Sequence, residues 1–133
     1  MVDKIRVLLV DDDPDFIEAN SIVLEACGFE VLSASSGADG LRMVKEENPD
    51  VVILDVMMEH TDEGFAVARR IRSRLRNNVP IIMLTSVGEV TGYDFNPEEN
   101  PDFFPVDIFL EKPVPPAILV NRIREVLKKG EDQ

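Results

Sequence analysis

The sequence predicts an α/β domain in which one parallel β-sheet lies between two layers of helices. Three short apolar runs are rich in β-branched residues and do not alternate with polar ones, which is typical of strands buried on both faces of a sheet. Helical patterns separate these runs, and this alternation indicates parallel pairing through right-handed crossovers. The 133 residues suit a single domain. We assign residues 1–130 to that domain and expect 131–133 to be a frayed tail.

Five strands are predicted along the chain. The strong apolar runs are 7–10, 51–54 and 81–84, and each is bounded by polar or proline residues. Weaker strands are expected at Glu30–Ala34 and 107–110, where fewer apolar residues follow one another. All of these runs are far too short to span a bilayer as helices.

The first of four predicted helices has clear start and stop signals. Asp13 is a good N-cap, Pro14 suits the first helical position, and Gly28 can end the helix. Apolar residues at helical spacing define the face that is expected to pack on the sheet. They are Phe16, Ile17, Val23, Leu24 and Cys27.

The other three helices follow the second, third and fifth strands. They are predicted over 36–47, where a serine is the N-cap, over 64–75, and from Pro115 onward. Their inner faces are again defined by apolar spacing. These inner residues are Leu41 and Val44; Phe65, Ala68, Ile71 and Leu75; and Ile118, Leu119, Ile123, Val126 and Leu127.

The segment between the fourth and fifth strands, residues 87–105, departs from the regular pattern. It contains Pro97, Pro101 and Pro105. Prolines spaced by four cannot all lie inside one helix, because each removes a backbone donor and clashes with the preceding turn. We expect a helix between the fourth and fifth strands to be short, displaced or missing. The four aromatic residues of the segment either cover the sheet in its place or stay exposed and dock a partner or a second copy.

The composition limits the classes of partner. A net charge of -12 disfavours direct binding to nucleic acid or to an anionic membrane, and suits a cationic ligand or a basic protein surface. One cysteine excludes an internal disulfide, and one cysteine with one histidine excludes a zinc cluster of the Cys/His type. No apolar segment approaches the length of a membrane span. We therefore expect a cytoplasmic protein without membrane insertion.

Acidic and polar residues follow the predicted strands. Ligands of open parallel sheets bind beyond the carboxyl ends of the strands. Asp11, Asp12 and Asp55 would converge there if their strands are neighbours, and three close carboxylates need a counter-cation such as Mg²⁺. Thr85 and Lys112 would complete a pocket for a small tetra-oxygen anion. This combination suits phosphoryl transfer with Asp55 as the nucleophile.

Four segments at these strand ends, VLLVDDDPDF, VVILDVMM, IIMLTS and FLEKPV, resemble the signature of the response regulator receiver family. The similarity runs from Ile5 to about Leu127. It implies a flavodoxin-like, doubly wound sheet of five parallel strands in the order 2-1-3-4-5. It also implies a two-component signalling protein, not a conventional enzyme, that takes a phosphoryl group from a histidine kinase or a phosphotransfer protein.

The resemblance assigns roles in the metal site. Asp55 is similar to the phosphoacceptor of the family, and it also faces the metal. Asp12 is similar to the direct Mg²⁺ ligand of the acidic pair, and Asp11 to the partner that acts largely through water. Met57, two residues after the phosphoacceptor, would give its backbone carbonyl to the metal.

The resemblance also implies switch residues. Thr85 would hydrogen-bond the phosphoryl group, Lys112 would pair with it, and Phe109 matches an aromatic residue that changes orientation on activation. Thr85 and Lys112 are 27 positions apart, several more than the family pattern implies. The extra length falls in the proline-rich segment described above.

Two other functions stay open. A small phosphohydrolase of the haloacid dehalogenase type would use Asp11 as its nucleophile, and a receiver-like scaffold would bind partners without phosphorylation. No DNA-binding or enzyme domain follows in this sequence, so output is expected through another, unknown protein or through a homodimer. The chain could equally pass its phosphoryl group onward.

Overall fold

The computed structural model describes residues 4–55, 63–73, 78–86, 107–112 and 114–131, and these residues form five strands and four helices. The strands are β1 (Arg6–Val10), β2 (Glu30–Ala34), β3 (Val51–Asp55), β4 (Ile81–Ser86) and β5 (Ile108–Lys112). The helices of these described residues are α1 (Pro14–Ala26), α2 (Gly37–Glu47), α3 (Glu63–Ser73) and α4 (Pro116–Glu131).

All five strands form one parallel sheet in the order β2-β1-β3-β4-β5. The predicted fold class and strand order are therefore confirmed. β1 and β3 are neighbours, and their register sets Val10 opposite Leu54. Asp11 and Asp55, which follow these two positions, therefore lie side by side at the carboxyl end of the sheet, as the predicted acidic site requires.

Alternate residues of each strand enter two separate cores, one on each face of the sheet. Leu8, Val52 and Met83 point to the face that α2 and α3 cover. Leu9 and Ile53 point to the face that α1 and α4 cover. Both sets are fully buried, which explains why these strands show no apolar–polar alternation in the sequence.

The predicted caps of the first two helices are present. The Asp13 carboxylate accepts a hydrogen bond from the Asp15 amide at 3.0 Å, and Ser36 Oγ accepts one from the Asp39 amide at 3.2 Å. The expectation that Cys27 packs inside was wrong. α1 ends at Ala26, so Cys27 is its C-cap residue and is exposed.

The inner face of α4 was predicted correctly except at its first position. Leu119, Ile123 and Val126 are buried, whereas Ile118 is 43% exposed. The buried residues of α4 centre on Ile123, and Ile118 lies five positions before it, which is about 140° around the helix, so it falls outside the buried face. Val120 is buried in its place.

Charged side chains fix the amino-terminal edge of the sheet. The Arg6 guanidinium pairs with Glu30 at 2.7 Å and Glu47 at 2.8 Å. Further along, Arg72 of α3 pairs with Asp107 at 3.1 Å, and the Asp107 carboxylate also accepts from the Ile81 amide at 2.8 Å. This second contact holds the start of β5 in register with β4.

Some predictions fall on residues outside those described. The expected short or irregular helix within 87–105 is one of them, and it stays a prediction. α4 includes Glu131, while residues 132 and 133 lie outside the described ranges. Among the described helices, none has both the length and the apolar character needed to cross a membrane.

Candidate phosphoryl and metal site

Two buried carboxylates lie at the carboxyl edge of the central strands. Asp11 follows β1 and is 1% exposed, while Asp55 ends β3 and is 5% exposed. The Asp11 amide donates to the Ala34 carbonyl at 3.1 Å, which ties the residue to the end of β2. Beneath it, Gly40 lets α2 approach closely, since a Cβ there would lie only 3.0 Å from Val10 Cγ1. The side chain of Val10, the residue before Asp11, is therefore packed directly against α2.

The Lys112 ammonium bridges these two carboxylates from the last residue of β5. Its Nζ lies 2.8 Å from Asp11 Oδ2 and 3.5 Å from Asp55 Oδ2. Burial by itself lowers the pKa of Lys112, but the hydrogen bond to Asp11 and the charges of Asp11 and Asp55 outweigh it, so the pKa is raised. Lys112 is therefore a firmly charged cation in the pocket.

Asp12 completes a group of three carboxylates. It is exposed, and one oxygen from each of Asp11, Asp12 and Asp55 lies within 4.8 Å of the others. The Asp13 amide donates to Asp11 Oδ1 at 2.9 Å, so both oxygens of Asp11 accept hydrogen bonds. The three carboxylates form a group of oxygens that is buried at Asp11 and Asp55 and open to solvent at Asp12. Such a group of oxygen ligands suits a hard cation.

The remaining predicted residues are located only in part. Thr85 lies in β4 opposite Glu111, one position before the pair formed by Ser86 and Lys112. Phe109 lies in β5 opposite Met83. These backbone positions set Thr85 at the same edge of the sheet as Lys112. Met57 lies outside the described residues, so its role as a metal ligand stays a prediction.

Sequence reasoning missed one member of the pocket. The Phe16 ring of α1 lies against the Lys112 ammonium, with Nζ 4.5 Å from the ring centroid. Phe16 was predicted only as an inward-facing helix residue. It lies within α1 and not at a strand end, so its position in the sequence gave no indication of a contact with a residue of β5.

Lys112→Met tests the charge balance of the pocket through pH. Because the pKa of Lys112 is raised, the folded state holds the ammonium proton more tightly than the unfolded state does. The contribution of this charge to the free energy of unfolding is therefore full below the unfolded pKa of about 10.4, and it is lost as the pH rises through the folded pKa. In metal-free buffer we expect the variant to be less stable by about 1–2 kcal/mol near neutral pH, less than for a fully buried pair because Lys112 is partly exposed.

The measurement is urea unfolding of the parent and Lys112→Met at a series of pH values. The difference in unfolding free energy should stay constant up to about pH 9 and shrink above about pH 10.4. A difference that persists unchanged at higher pH would show that altered packing at position 112, not the loss of the charge, destabilises the variant.

Comparisons with known proteins agree with this geometry. Residues 7–124 match the family model of the response regulator receiver domain. Among curated proteins, the chain is 38% identical to the transcriptional regulatory protein AfsQ1 of Streptomyces coelicolor, over 94% of this chain and 52% of that protein. It is 35% identical to the DNA-binding response regulator MtrA of Mycolicibacterium smegmatis, over 96% of this chain and 53% of that protein. The chain spans about half the length of these relatives.

Solved structures give the same result for the fold. A CheY-like response regulator receiver domain protein from Methanospirillum hungatei superposes with a TM-score of 0.80 at 28% identity, covering 98% of both chains. The signal receiver domain of a LuxO repressor protein from Vibrio parahaemolyticus superposes with a TM-score of 0.81 at 21% identity, covering 96% of this chain and 93% of that one. The second similarity concerns the fold alone.

Proposed function

This chain belongs to the response regulator receiver domain family, and from that premise we propose that it is switched by a phosphoryl group on Asp55, with Mg²⁺ bound beside it. It is a signalling domain of the two-component type, not a conventional enzyme. The donor in this proposal is a histidine kinase or a phosphotransfer protein, and the location is the cytoplasm. The switch acts through contacts with an output protein.

The position of Asp55 supports this role most directly. It is a buried carboxylate at the carboxyl end of the central strand, with the Lys112 ammonium at 3.5 Å. Asp11 is a poor candidate nucleophile, because both of its oxygens accept hydrogen bonds, one from Lys112 at 2.8 Å and one from the Asp13 amide at 2.9 Å. Such a carboxylate is better suited to holding cations than to attacking phosphorus, which favours the receiver over the phosphohydrolase.

The carboxylate group fits a divalent cation. Oxygens of Asp11, Asp12 and Asp55 that lie within 4.8 Å of one another provide hard ligands of high negative charge, and Mg²⁺ binds through one or two carboxylates while keeping several waters. We propose Asp12 and Asp55 as its direct ligands, Asp11 as a ligand acting through water, and the Met57 carbonyl as a further one. The ion would supply positive charge against the oxygens of the phosphoryl group.

The proposed reaction is an in-line displacement at phosphorus. An Asp55 carboxylate oxygen forms a P–O bond while the P–N bond to the donor histidine breaks, and the imidazole leaves and takes up a proton. The Lys112 ammonium, already held over the pocket by Asp11, offsets the charge of the incoming phosphoryl oxygens. Thr85, at the same sheet edge, is proposed to hydrogen-bond the phosphoryl group, and Phe109 to report the change to the surface.

Incubation with acetyl phosphate and Mg²⁺ tests the proposal without a cognate kinase. We expect one phosphoryl group per chain by intact mass, placed on Asp55 by peptide mapping after borohydride reduction, and none when EDTA replaces Mg²⁺. Phosphate on Asp11 would instead indicate the phosphohydrolase. Absence of any adduct would indicate a scaffold that binds partners without phosphorylation.

A further inference from the structure

An aromatic ring closes the third side of the Lys112 ammonium. Two of its neighbours are the carboxylates of Asp11 at 2.8 Å and Asp55 at 3.5 Å. The third is the face of Phe16, whose ring centroid lies 4.5 Å from Nζ. The four residues come from α1, β3, β5 and the end of β1, so the ring joins a helix to a site that otherwise rests on strands.

Phe16 is held firmly enough to act in this way. Its ring is partly buried and packs on the core between α1, α4 and the sheet. The buried side chain of Asn20 donates a hydrogen bond from Nδ2 to the backbone carbonyl of Phe16 at 2.9 Å. Lys112 itself is only 20% exposed, so water has limited access to the ammonium and the ring replaces part of its hydration. Desolvation of the cation strengthens its attraction to the ring.

A ring at this position has a property that other side chains lack. The negative face of the π-system attracts a cation while the side chain carries no net charge. An aliphatic residue would exclude water from the ammonium and offer no attraction in return. A carboxylate would add charge to a pocket that already holds three, and would compete with the phosphoryl oxygens for the same ammonium.

We propose that Phe16 is a positioning residue for phosphorylation, whose ring keeps the Lys112 ammonium over the pocket by a cation–π contact. This inference rests on the proposed function of Asp55. In this proposal the ring acts only through Lys112 and makes no direct contact with the phosphoryl donor or with Asp55. Weakening the contact should slow phosphorylation by about three- to tenfold, which is the range expected for loss of a partly desolvated cation–π pair.

Site-specific fluorination of the ring separates attraction from shape. Phenylalanine at position 16 is replaced by its mono-, di- and trifluoro analogues, which draw electron density from the ring face and change its size little. We expect the rate of phosphorylation by acetyl phosphate to fall step by step along the series. Phe16→Leu should match the slowest member, and Phe16→Tyr should retain most of the parental rate.

Phe29 is a matched control in the same core. It is buried in the cluster that Phe16 packs against, and the Arg124 guanidinium lies 6.0 Å from its ring centroid. The cation beside its ring is Arg124, which has no assigned role in the site. Fluorination of Phe29 should leave the phosphorylation rate unchanged, and thermal melts of both series should show that every variant folds.

A second readout follows the contact itself. Lys112 ε-methylene protons lie near the ring face and should show an upfield ring-current shift in the NMR spectrum, which is lost in Phe16→Leu. If the parent takes phosphate on Asp55 and the fluorinated variants at position 16 react at the same rate, the positioning role is overturned and the proposed function stands. A parent that takes no phosphate rejects the proposed function, and this inference with it, even where the ring-current shift is present.

Discussion

Asp55→Asn is expected to take up no phosphate from acetyl phosphate and to fold as the parent does. The amide keeps the shape of the side chain but is not a nucleophile, so the rate should fall by at least about a thousandfold. Folding should persist because the substitution removes one negative charge from a pocket in which Asp11 is already buried and Asp12 lies close. Intact mass after incubation with Mg²⁺ measures the result, and circular dichroism checks the fold.

Asp50→Asn is the matched control for this experiment. Asp50 precedes Val51 at the opposite end of β3, where its carboxylate accepts from the Arg6 amide at 2.8 Å. The same chemical change just before the opposite end of the strand should leave phosphate uptake intact. Equal labelling of Asp55→Asn and the parent would reject Asp55 as the acceptor, and a label mapped to Asp11 would identify the alternative nucleophile.

Asp12→Ala is expected to abolish the response to Mg²⁺ and, with it, phosphorylation. Asp12 is the exposed member of the three carboxylates, so its side chain faces any ion that enters from solvent. The loss in affinity should exceed the roughly 10- to 100-fold that follows removal of an outer-shell partner, because Asp12 is proposed as a direct ligand. In metal-free buffer the variant should be slightly more stable, since repulsion with Asp11 and Asp55 is relieved.

Asp15→Ala controls for the loss of charge alone. Asp15 is an exposed acidic residue in the first turn of α1, close to the site along the chain. Titration with Mg²⁺, followed by amide chemical shifts, should saturate in the parent and in Asp15→Ala and stay flat in Asp12→Ala. Parental affinity in Asp12→Ala would remove Asp12 from the ligand set.

The buried parts of the fold were predictable because the buried strands consist almost entirely of apolar residues. β1, β3 and β4 are apolar on both faces, so their positions follow from the sequence without knowledge of their partners. The acidic edge follows in turn, because Asp11 and Asp55 come directly after such strands. The order of the strands, by contrast, came from the family resemblance and not from any local pattern.

Details that depend on helix phase or on side chains from distant elements were not predictable. Ile118 and Cys27 are apolar residues whose spacing suggested an inner helix face, and only the true phase and end of their helices decide that both are exposed. The contact between Phe16 and Lys112 joins α1 to β5 across most of the sequence. No spacing rule relates two such residues, since the contact exists only after both elements have packed on the sheet.

The strand order has a consequence for how the pocket comes into being during folding. β1 lies between β2 and β3, so the first 55 residues contain the central strands and both buried carboxylates. β4 and then β5 add at one edge, and the Lys112 ammonium arrives from 101 positions beyond Asp11. Contacts at such separation form late, because chain closure must be completed before they contribute. We therefore expect the acidic pocket to lack its ammonium until β5 joins the sheet, so that the proposed phosphoryl site is complete only after the last strand has paired.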